Sequence, residues 1–512
     1  MELNRLLLPG EYDGEPHDGI DVAGIVNDGR RITPGCLYIC HEGKNYNSHL
    51  LLPALKGKGC VAAVVVREYA ENDVGIPLLP VDDTRRAEAY AASRFYGDPG
   101  KRLTLIGVTG TNGKTSVSTM IRHILNEAGV PTGMIGTTGY LGAVGNEAAF
   151  AAFHSGDAAT MTTPPPLTLY PLLAAMADAG ITHVVMEVSS QALDHSRVAP
   201  LSFACAVFTN LSPEHLDYHR DMTSYLAAKR ILFKQTKTAV VNGDTPWTDL
   251  LLEGLSCRRV VCGTVGRCDH LATEAELDGC DGVSFVLETD DGRFPVSVPI
   301  PGAFTVQNAL LAVAAAREVG VDIPASIRAL TRLPTVPGRM EKVDAGEFPF
   351  SVLIDYAHTE AALRSLLLSV RAFRRHGERI VLLFGCGGDR DPTKRVAMGR
   401  TAAELADFSI VTSDNSRSED PKQIIREIIS GMPEKTRRRV IVDRKRAINY
   451  AIETAEPGDI VLLVGKGHEQ YEITSDGVRP FDEKKIVREA LKRRRYGHTT
   501  EEDDADQDRN TD

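Results

Sequence analysis

Positive charge is not in excess in this chain. Its 58 Lys and Arg are outnumbered by 69 Asp and Glu, giving a formal net charge of −11 over 512 residues. No basic stripe interleaved with aromatic side chains runs through it, which argues against nucleic acid as a partner. Arg437-Arg438-Arg439 and the run from Lys492 to Arg495 are short and read as solvated helix faces. Apolar runs approaching the ~20 residues of a membrane span are also missing, so no membrane insertion is expected. The opening MELNRLLLPGEYDGEP lacks a basic region followed by an apolar one, so no signal peptide is expected and the protein is expected to be cytoplasmic. The nine cysteines include no CxxC pair. Cys257, Cys262, Cys268 and Cys280 crowd one region, but at spacings that match no zinc framework, so reduced thiols acting as small hydrophobes are expected.

What the chain does have is enough apolar residues for several cores, and a length that predicts about three domains. Its organising stretch is Leu103 to Leu125. Leu103 to Val108 has the composition of a buried strand, and Val117, Met120, Ile121, Ile124 and Leu125 fall on one face of a helix. Gly129 and Pro131 end that helix. Between strand and helix lies Gly110-Thr111-Asn112-Gly113-Lys114-Thr115-Ser116. Glycines there let backbone N–H groups close around phosphate oxygens at a helix N-terminus. Lys114 supplies a point charge, and the Thr115 hydroxyl can ligate Mg²⁺. Val108 stands where the general P-loop pattern has glycine. The context still predicts a nucleotide-phosphate site.

Residues 1–100 form a first unit with strands predicted at Cys36 to Cys40 and Val61 to Val66. The polar clusters Asn27 to Arg31 and Asn45 to His49 suit a ligand's phosphates or sugars, though alone they read as ordinary loops. The second unit, residues 101–337, carries the P-loop. Thr160 to Pro166 is a rigid hydroxyl-rich loop. His183 to Val188 reads as a strand delivering Glu187, and Cys205 to Thr209 as one followed by Asn-Leu-Ser-Pro-Glu-His-Leu-Asp, which contains His215. In doubly wound sheets ligands sit beyond the carboxyl ends of the strands, so Glu187 and His215 are expected to meet the phosphates and Mg²⁺. The third unit, residues 338–496, repeats the logic. Strands at Val352 to Ile354, Ile380 to Phe384, Phe408 to Thr412 and Ile460 to Val464 each end in a polar loop, predicting a second α/β domain. Residues 497–512 are acidic, almost free of apolar side chains and expected to be a disordered tail.

Taken in order, GTNGKT, MEVSSQAL, NLSPEHLD, GRME, DYAHT, GCGGDRD, SDNSRSEDP and GKGHE resemble the Mur ligase family over nearly the whole chain. The resemblance implies an α/β protein of three domains. These are a UDP-substrate domain, a central P-loop ATPase domain with a mostly parallel sheet, and a Rossmann-like domain for an incoming amino acid. It also implies ATP-dependent amide synthesis through an acyl phosphate in peptidoglycan precursor synthesis, adding meso-2,6-diaminopimelate to UDP-N-acetylmuramoyl-L-alanyl-D-glutamate. The alternatives are a lysine-adding version, a folate polyglutamylating ligase, and a P-loop ATPase regulator without ligase chemistry. ATP as co-substrate, two Mg²⁺ ions, small-molecule partners and a monomer are expected.

By resemblance, Lys114, Thr115, Glu187, His215 and Lys229, the last as a carbamate, serve catalysis and metal binding. Asn308, Arg339 and Asp355 join the P-loop at the nucleotide. Thr162, Thr163, Ser189, His195 and Arg197 align with contacts to the UDP-muramoyl-dipeptide. Arg390, Asp414, Asn415, Ser416, Arg417, Gly465 and Glu469 align with the amino-acid pocket. Three positions depart from the family. Gly29 stands for a serine of the UDP site and Glu360 for a proline. Ser416 stands for the proline of a DNPR signature, a change expected to loosen that loop.

Overall fold

The computed structural model describes residues 1–8, 10–43, 46–154 and 161–496. Asn45, Thr160 and the expected tail at residues 497–512 lie outside the described residues. The chain divides into two compact units. The first comprises Met1–Thr273, Val286–Phe294 and Gln307–Leu330, and the second is built mainly from the chain after Thr331.

The first unit opens with a parallel sheet of β1 (Gly24–Val26), β2 (Cys36–Ile39), β3 (Ala62–Val66) and β4 (Leu78–Val81), in that order. Seven strands of a ten-stranded sheet follow: β5 (Thr104–Thr109), β6 (Thr132–Gly136), β7 (Gly139–Leu141), β8 (His183–Glu187), β9 (Phe203–Phe208), β10 (Thr236–Asn242) and β11 (Arg258–Gly263). They lie in the order β11-β10-β9-β5-β8-β6-β7, all parallel except the β6–β7 hairpin. The unbroken apolar runs of β5, β8 and β9 follow from burial on both faces, the usual state of a parallel sheet. Helix α1 (Lys114–Glu127) covers one face with Val117, Met120, Ile121, Ile124 and Leu125, all buried. Helix α2 (Met222–Phe233) packs against β5 and β10.

The second unit holds a six-stranded sheet of β12 (Glu341–Val343), β13 (Ser351–Asp355), β14 (Arg379–Phe384), β15 (Phe408–Val411), β16 (Arg438–Val440) and β17 (Asp459–Val464). The order is β12-β13-β17-β14-β15-β16, with only β12 antiparallel. Asp355 pairs with Val464, Val464 with Phe384, and Phe384 with Val411. One register line therefore sets the start of four polar loops. The strands read from the sequence differ from those observed by a residue or two at their ends, where hydrogen bonding rather than hydropathy decides, whereas Arg438 and Arg439, read as part of a solvated helix face, lie on β16 paired with β15.

Arg444 ties two of these loops together. Fully buried, it donates from Nε to Glu483 Oε1 at 2.7 Å and from its terminal nitrogens to Ser413 O at 3.1 Å and Val464 O at 2.9 Å. Removing one partner strands a buried charge, which costs about 3–5 kcal/mol, whereas replacing both by apolar groups is often neutral. Arg444→Met should therefore lower the urea midpoint of the second unit by that measure. Arg444→Met combined with Glu483→Leu should recover most of it.

Candidate functional site

The strands that follow β5 and β9 lie on opposite sides of this pair in the sheet, the switch point beyond whose carboxyl ends doubly wound sheets bind their ligands. The glycine-rich loop sits there. Thr111 N donates to Asn210 O at 2.9 Å, and Asn112 N to Asn210 Oδ1 at 3.0 Å. Gly110 has φ +148°, and a Cβ on it would stand 1.9 Å from Thr209 Oγ1. This accounts for Val108. That residue lies inside the strand, fully buried and paired with Glu187 and Val207, and the close approach that demands glycine falls two residues later. Gly113, at φ +86°, opens α1, with Asn308 Oδ1 2.8 Å from where its Cβ would be. Asn112 is exposed, and Ser116 is half-buried on the first turn of the helix.

Two lysines share one acceptor. Lys114 Nζ donates to Gly110 O at 2.9 Å and Thr111 O at 2.8 Å, and Lys229 Nζ donates to the same Gly110 O at 2.9 Å. Lys229 is 1 % exposed, with its ammonium 4.4 Å from the centre of the Tyr225 ring. Burial, with the Lys114 charge beside it, holds the Lys229 pKa well below that of an ordinary lysine.

Glu187 is fully buried at the end of β8. Its Oε2 accepts from Thr115 Oγ1 at 3.1 Å and Thr137 Oγ1 at 3.0 Å, and its Oε1 from Thr137 N at 3.0 Å. Thr137 Oγ1 also lies 3.1 Å from Thr162 Oγ1, within hydrogen-bond distance of that hydroxyl. Thr163 Oγ1 donates to Glu187 O at 2.8 Å and accepts from Ser189 N at 3.0 Å, while Arg197 donates to Thr163 O at 2.6 Å. Thr115, Glu187, Thr162, Thr163, Ser189 and Arg197 therefore form one bonded cluster. His195 stands to one side, its Nε2 2.7 Å from Tyr218 Oη, with its pKa pushed down to about 4 by burial and by Arg85 and Arg197. His215 is exposed at φ +56°, its ring 6.4 Å from that of Tyr225. The buried histidine beside Tyr225 is instead His219, bonded to Ser190 Oγ at 2.8 Å. At the Gly29 position, a Cβ would meet Leu51 Cδ1 at 2.6 Å, so a bulky leucine takes the space of the missing side chain.

In the second unit Asp355 caps two backbone N–H groups, those of Met340 and Ala357, both at 2.9 Å. Burial raises its pKa against the pull of Arg339. Arg339 lies over the Tyr356 ring at 5.0 Å, and its buried Nε has no hydrogen-bond partner among the described residues. Beyond β15 and β17, Asn415 Nδ2 donates to Glu469 Oε2 at 2.7 Å, and Gly465 at φ +117° lets Asp414 Oδ2 approach. Burial raises the Glu469 pKa. Asp414 is also buried, yet Arg444 and Lys466 more than offset that effect and lower its pKa. Arg417 donates to Gly388 O at 2.8 Å, while Arg390 stands exposed on its loop. Other segments hold the loop around Ser416. Ser416 is buried, its carbonyl accepts from Glu419 N, and Arg417 N donates to Ile473 O at 3.0 Å, so neighbouring segments supply the restraint that proline would give.

Thr137, Tyr225 and Lys466 belong to these clusters and were not singled out from sequence. Tyr225 lies one helical turn before Lys229, and Lys466 lies within GKGHE, so both carried a positional signal. Thr137 carried none. Among the described residues no group of three or more His, Cys, Asp and Glu is arranged to hold a metal ion, and no helix is long and apolar enough to cross a membrane.

Residues 108–316 match the Mur ligase middle domain, and residues 338–467 the Mur ligase glutamate ligase domain. The chain is 41% identical over 483 residues to the UDP-N-acetylmuramoyl-L-alanyl-D-glutamate--2,6-diaminopimelate ligase of Syntrophomonas wolfei, covering 92% of this chain and 95% of the relative. A solved ligase of the same description matches with TM-score 0.69 and 30% identity, covering 97% of this chain and 99% of that one. Folylpolyglutamate synthase of Mycobacterium tuberculosis matches with TM-score 0.59 at 20% identity, over 81% of this chain and 95% of that one, and so shares the fold alone. Phosphate loop, buried carboxylate and matched domains agree: the chain belongs to the Mur ligase family of ATP-dependent amide-bond-forming enzymes.

Proposed function

We propose that this protein adds meso-2,6-diaminopimelate to UDP-N-acetylmuramoyl-L-alanyl-D-glutamate, as the name of the Syntrophomonas wolfei relative states for that enzyme. The observation that carries this reading is the mixed charge of the Asp414–Glu469 cluster. Asn415 and Lys466 join two carboxylates in one buried network, and the half-buried Arg417 donates to the Asn415 carbonyl at 3.3 Å beside it. A ligand whose far end carries both a carboxylate and an ammonium matches it. Diaminopimelate has both groups there, and lysine has only the ammonium. We further propose that residues 1–100 serve the UDP-substrate, 101–337 ATP and 338–496 the amino acid, in a monomeric cytoplasmic enzyme.

A carboxylate is a poor electrophile. In the proposed reaction the terminal carboxylate oxygen of the substrate attacks the γ-phosphorus of ATP, and the bond to the β-phosphate oxygen breaks. The amine of diaminopimelate then attacks the acyl carbon, the C–O bond breaks, and phosphate leaves. Lys114 and the N-terminal amides of α1 face the developing charge. Thr115 and Glu187 offer hydroxyl and carboxylate oxygens 3.1 Å apart, a donor set that suits a hard cation. We assign one Mg²⁺ to them and a second to His215 and carbamylated Lys229. When bound, the ions neutralise phosphate charge. Lys229 is suited to carbamylation because a neutral amine is the form that attacks CO₂, giving a carbamate and releasing a proton. Its burial beside Lys114 favours that neutral form.

Phosphate release, measured with the dipeptide nucleotide and a panel of amino acids, tests the assignment. Meso-diaminopimelate should exceed lysine in kcat/KM by a large factor, because lysine leaves Arg417 without a carboxylate partner. Lysine equal to or better than diaminopimelate overturns the reading. Arg417→Ala should cost about 2–5 kcal/mol in diaminopimelate binding.

Lys114→Ala should fold normally yet lose substrate-dependent ATP hydrolysis, which circular dichroism and the same assay separate. Lys229→Ala should lower kcat by ~10²-fold or more, the scale of losing charge stabilisation in the transition state. A ¹³CO₂-derived carbamate resonance should be present in the wild type and missing from the variant.

A further inference from the structure

Among the described residues, Lys466 is the one lysine among the largest fully buried side chains of the second unit. Its ammonium donates to Asn415 Oδ1 at 2.8 Å and Tyr471 O at 2.9 Å, with Asp414 Oδ1 at 3.8 Å and Glu469 Oε2 at 3.9 Å. A buried ammonium is costly, so it persists only where its geometry is fully met.

What it meets decides which way an amide points. A side-chain amide has a donor end and an acceptor end of nearly the same shape, and only its partners distinguish them. Lys466 Nζ and Ile473 N, the latter at 3.0 Å, both donate to Asn415 Oδ1. Two donors at one end leave Nδ2 for Glu469 Oε2 at 2.7 Å. One N–H of Asn415 and one oxygen of Glu469 then remain for a ligand, a donor beside an acceptor. Without the ammonium, only Ile473 N would hold the oxygen end, and Asp414 and Glu469 would lose the cation between them.

We propose that Lys466 is a positioning residue for amino-acid selection: it fixes the orientation of the Asn415 amide, and through it the Glu469 carboxylate, so that the pocket presents a donor–acceptor pair to the zwitterionic end of the incoming amino acid. This inference rests on the diaminopimelate reading. It differs from a general structural role in acting through one named neighbour. Lys466 and Asn415 should therefore be energetically coupled, which a double-mutant cycle measures.

The test uses the full-length enzyme and steady-state kinetics with each substrate varied in turn. Lys466→Met should raise the KM for meso-diaminopimelate at least tenfold, with kcat and the KM values for ATP and the dipeptide nucleotide within about threefold of wild type. Lys466→Arg, which keeps the charge but moves the donor, should show a smaller rise of the same kind. Lys466→Met combined with Asn415→Ala should be no worse than Asn415→Ala alone. An unchanged diaminopimelate KM in Lys466→Met, or penalties that multiply in the double variant, overturns the proposal. If Lys466→Met does not fold, Lys466→Arg decides by the same cycle, and a wild-type KM there overturns it. Failure of the wild type itself to use meso-diaminopimelate would instead refute the function on which the inference rests.

Discussion

A fully buried carboxylate must be satisfied on every side, and Glu187 sets that condition for the catalytic end of the central sheet. Hydroxyls from the start of α1 and from the turn after β6, with one backbone amide, hold its two oxygens, while its own carbonyl takes the hydroxyl of Thr163. Four separate segments are thereby fixed at the level where the glycine-rich loop begins. The parallel register contributes the other half of the constraint. Glu187 lies opposite Val108, so the loop and the carboxylate are set by the same backbone hydrogen bonds that build the sheet. Positioning of this kind comes from rigid strands rather than from the loops themselves.

The second unit solves a related problem with charge. Asp414, Glu469, Lys466 and Arg444 are all buried or nearly so, and each is tolerable because the others are present. Single substitutions in such a network leave unpaired charge, so its members act as a group. The central site instead uses neutral hydroxyls around one anion and sets the side-chain nitrogens of Lys114 and Lys229 on one carbonyl. The two units therefore accommodate buried charge at their strand ends in different ways.

Much of this was legible in the sequence because parallel strands buried on both faces give continuous apolar runs, and the residues after them are polar where chemistry is done. Leu103 to Val108, His183 to Val188 and Ile460 to Val464 were each located to within a residue or two, and the helix face from Val117 to Leu125 was located in full. Contacts fixed by register were not legible. Nothing local marks Thr137 as a partner of Glu187, since the two are 50 residues apart and meet only through strand order. Ser416 shows the same limit. A missing proline reads locally as lost stiffness, but the carbonyl of Ile473, remote in sequence, holds the next residue. His215 and His219 are one helical turn apart, and hydropathy could not say which of them is buried.

Three glycines touch the functional groups more closely than any side chain could. Added Cβ atoms would stand 1.9 Å from Thr209 Oγ1 at Gly110, 2.2 Å from Glu187 Oε1 at Gly136 and 2.5 Å from Asp414 Oδ2 at Gly465. Each such approach makes the glycine and its neighbour a pair that cannot change separately, since enlarging one requires shrinking the other. At Gly110 and Gly136 the neighbour is itself bonded to the loop or to Thr115, so the compensating change would dismantle the site. For these positions no single-step route through sequence space keeps the geometry, and drift in this protein is channelled toward surfaces away from the strand ends.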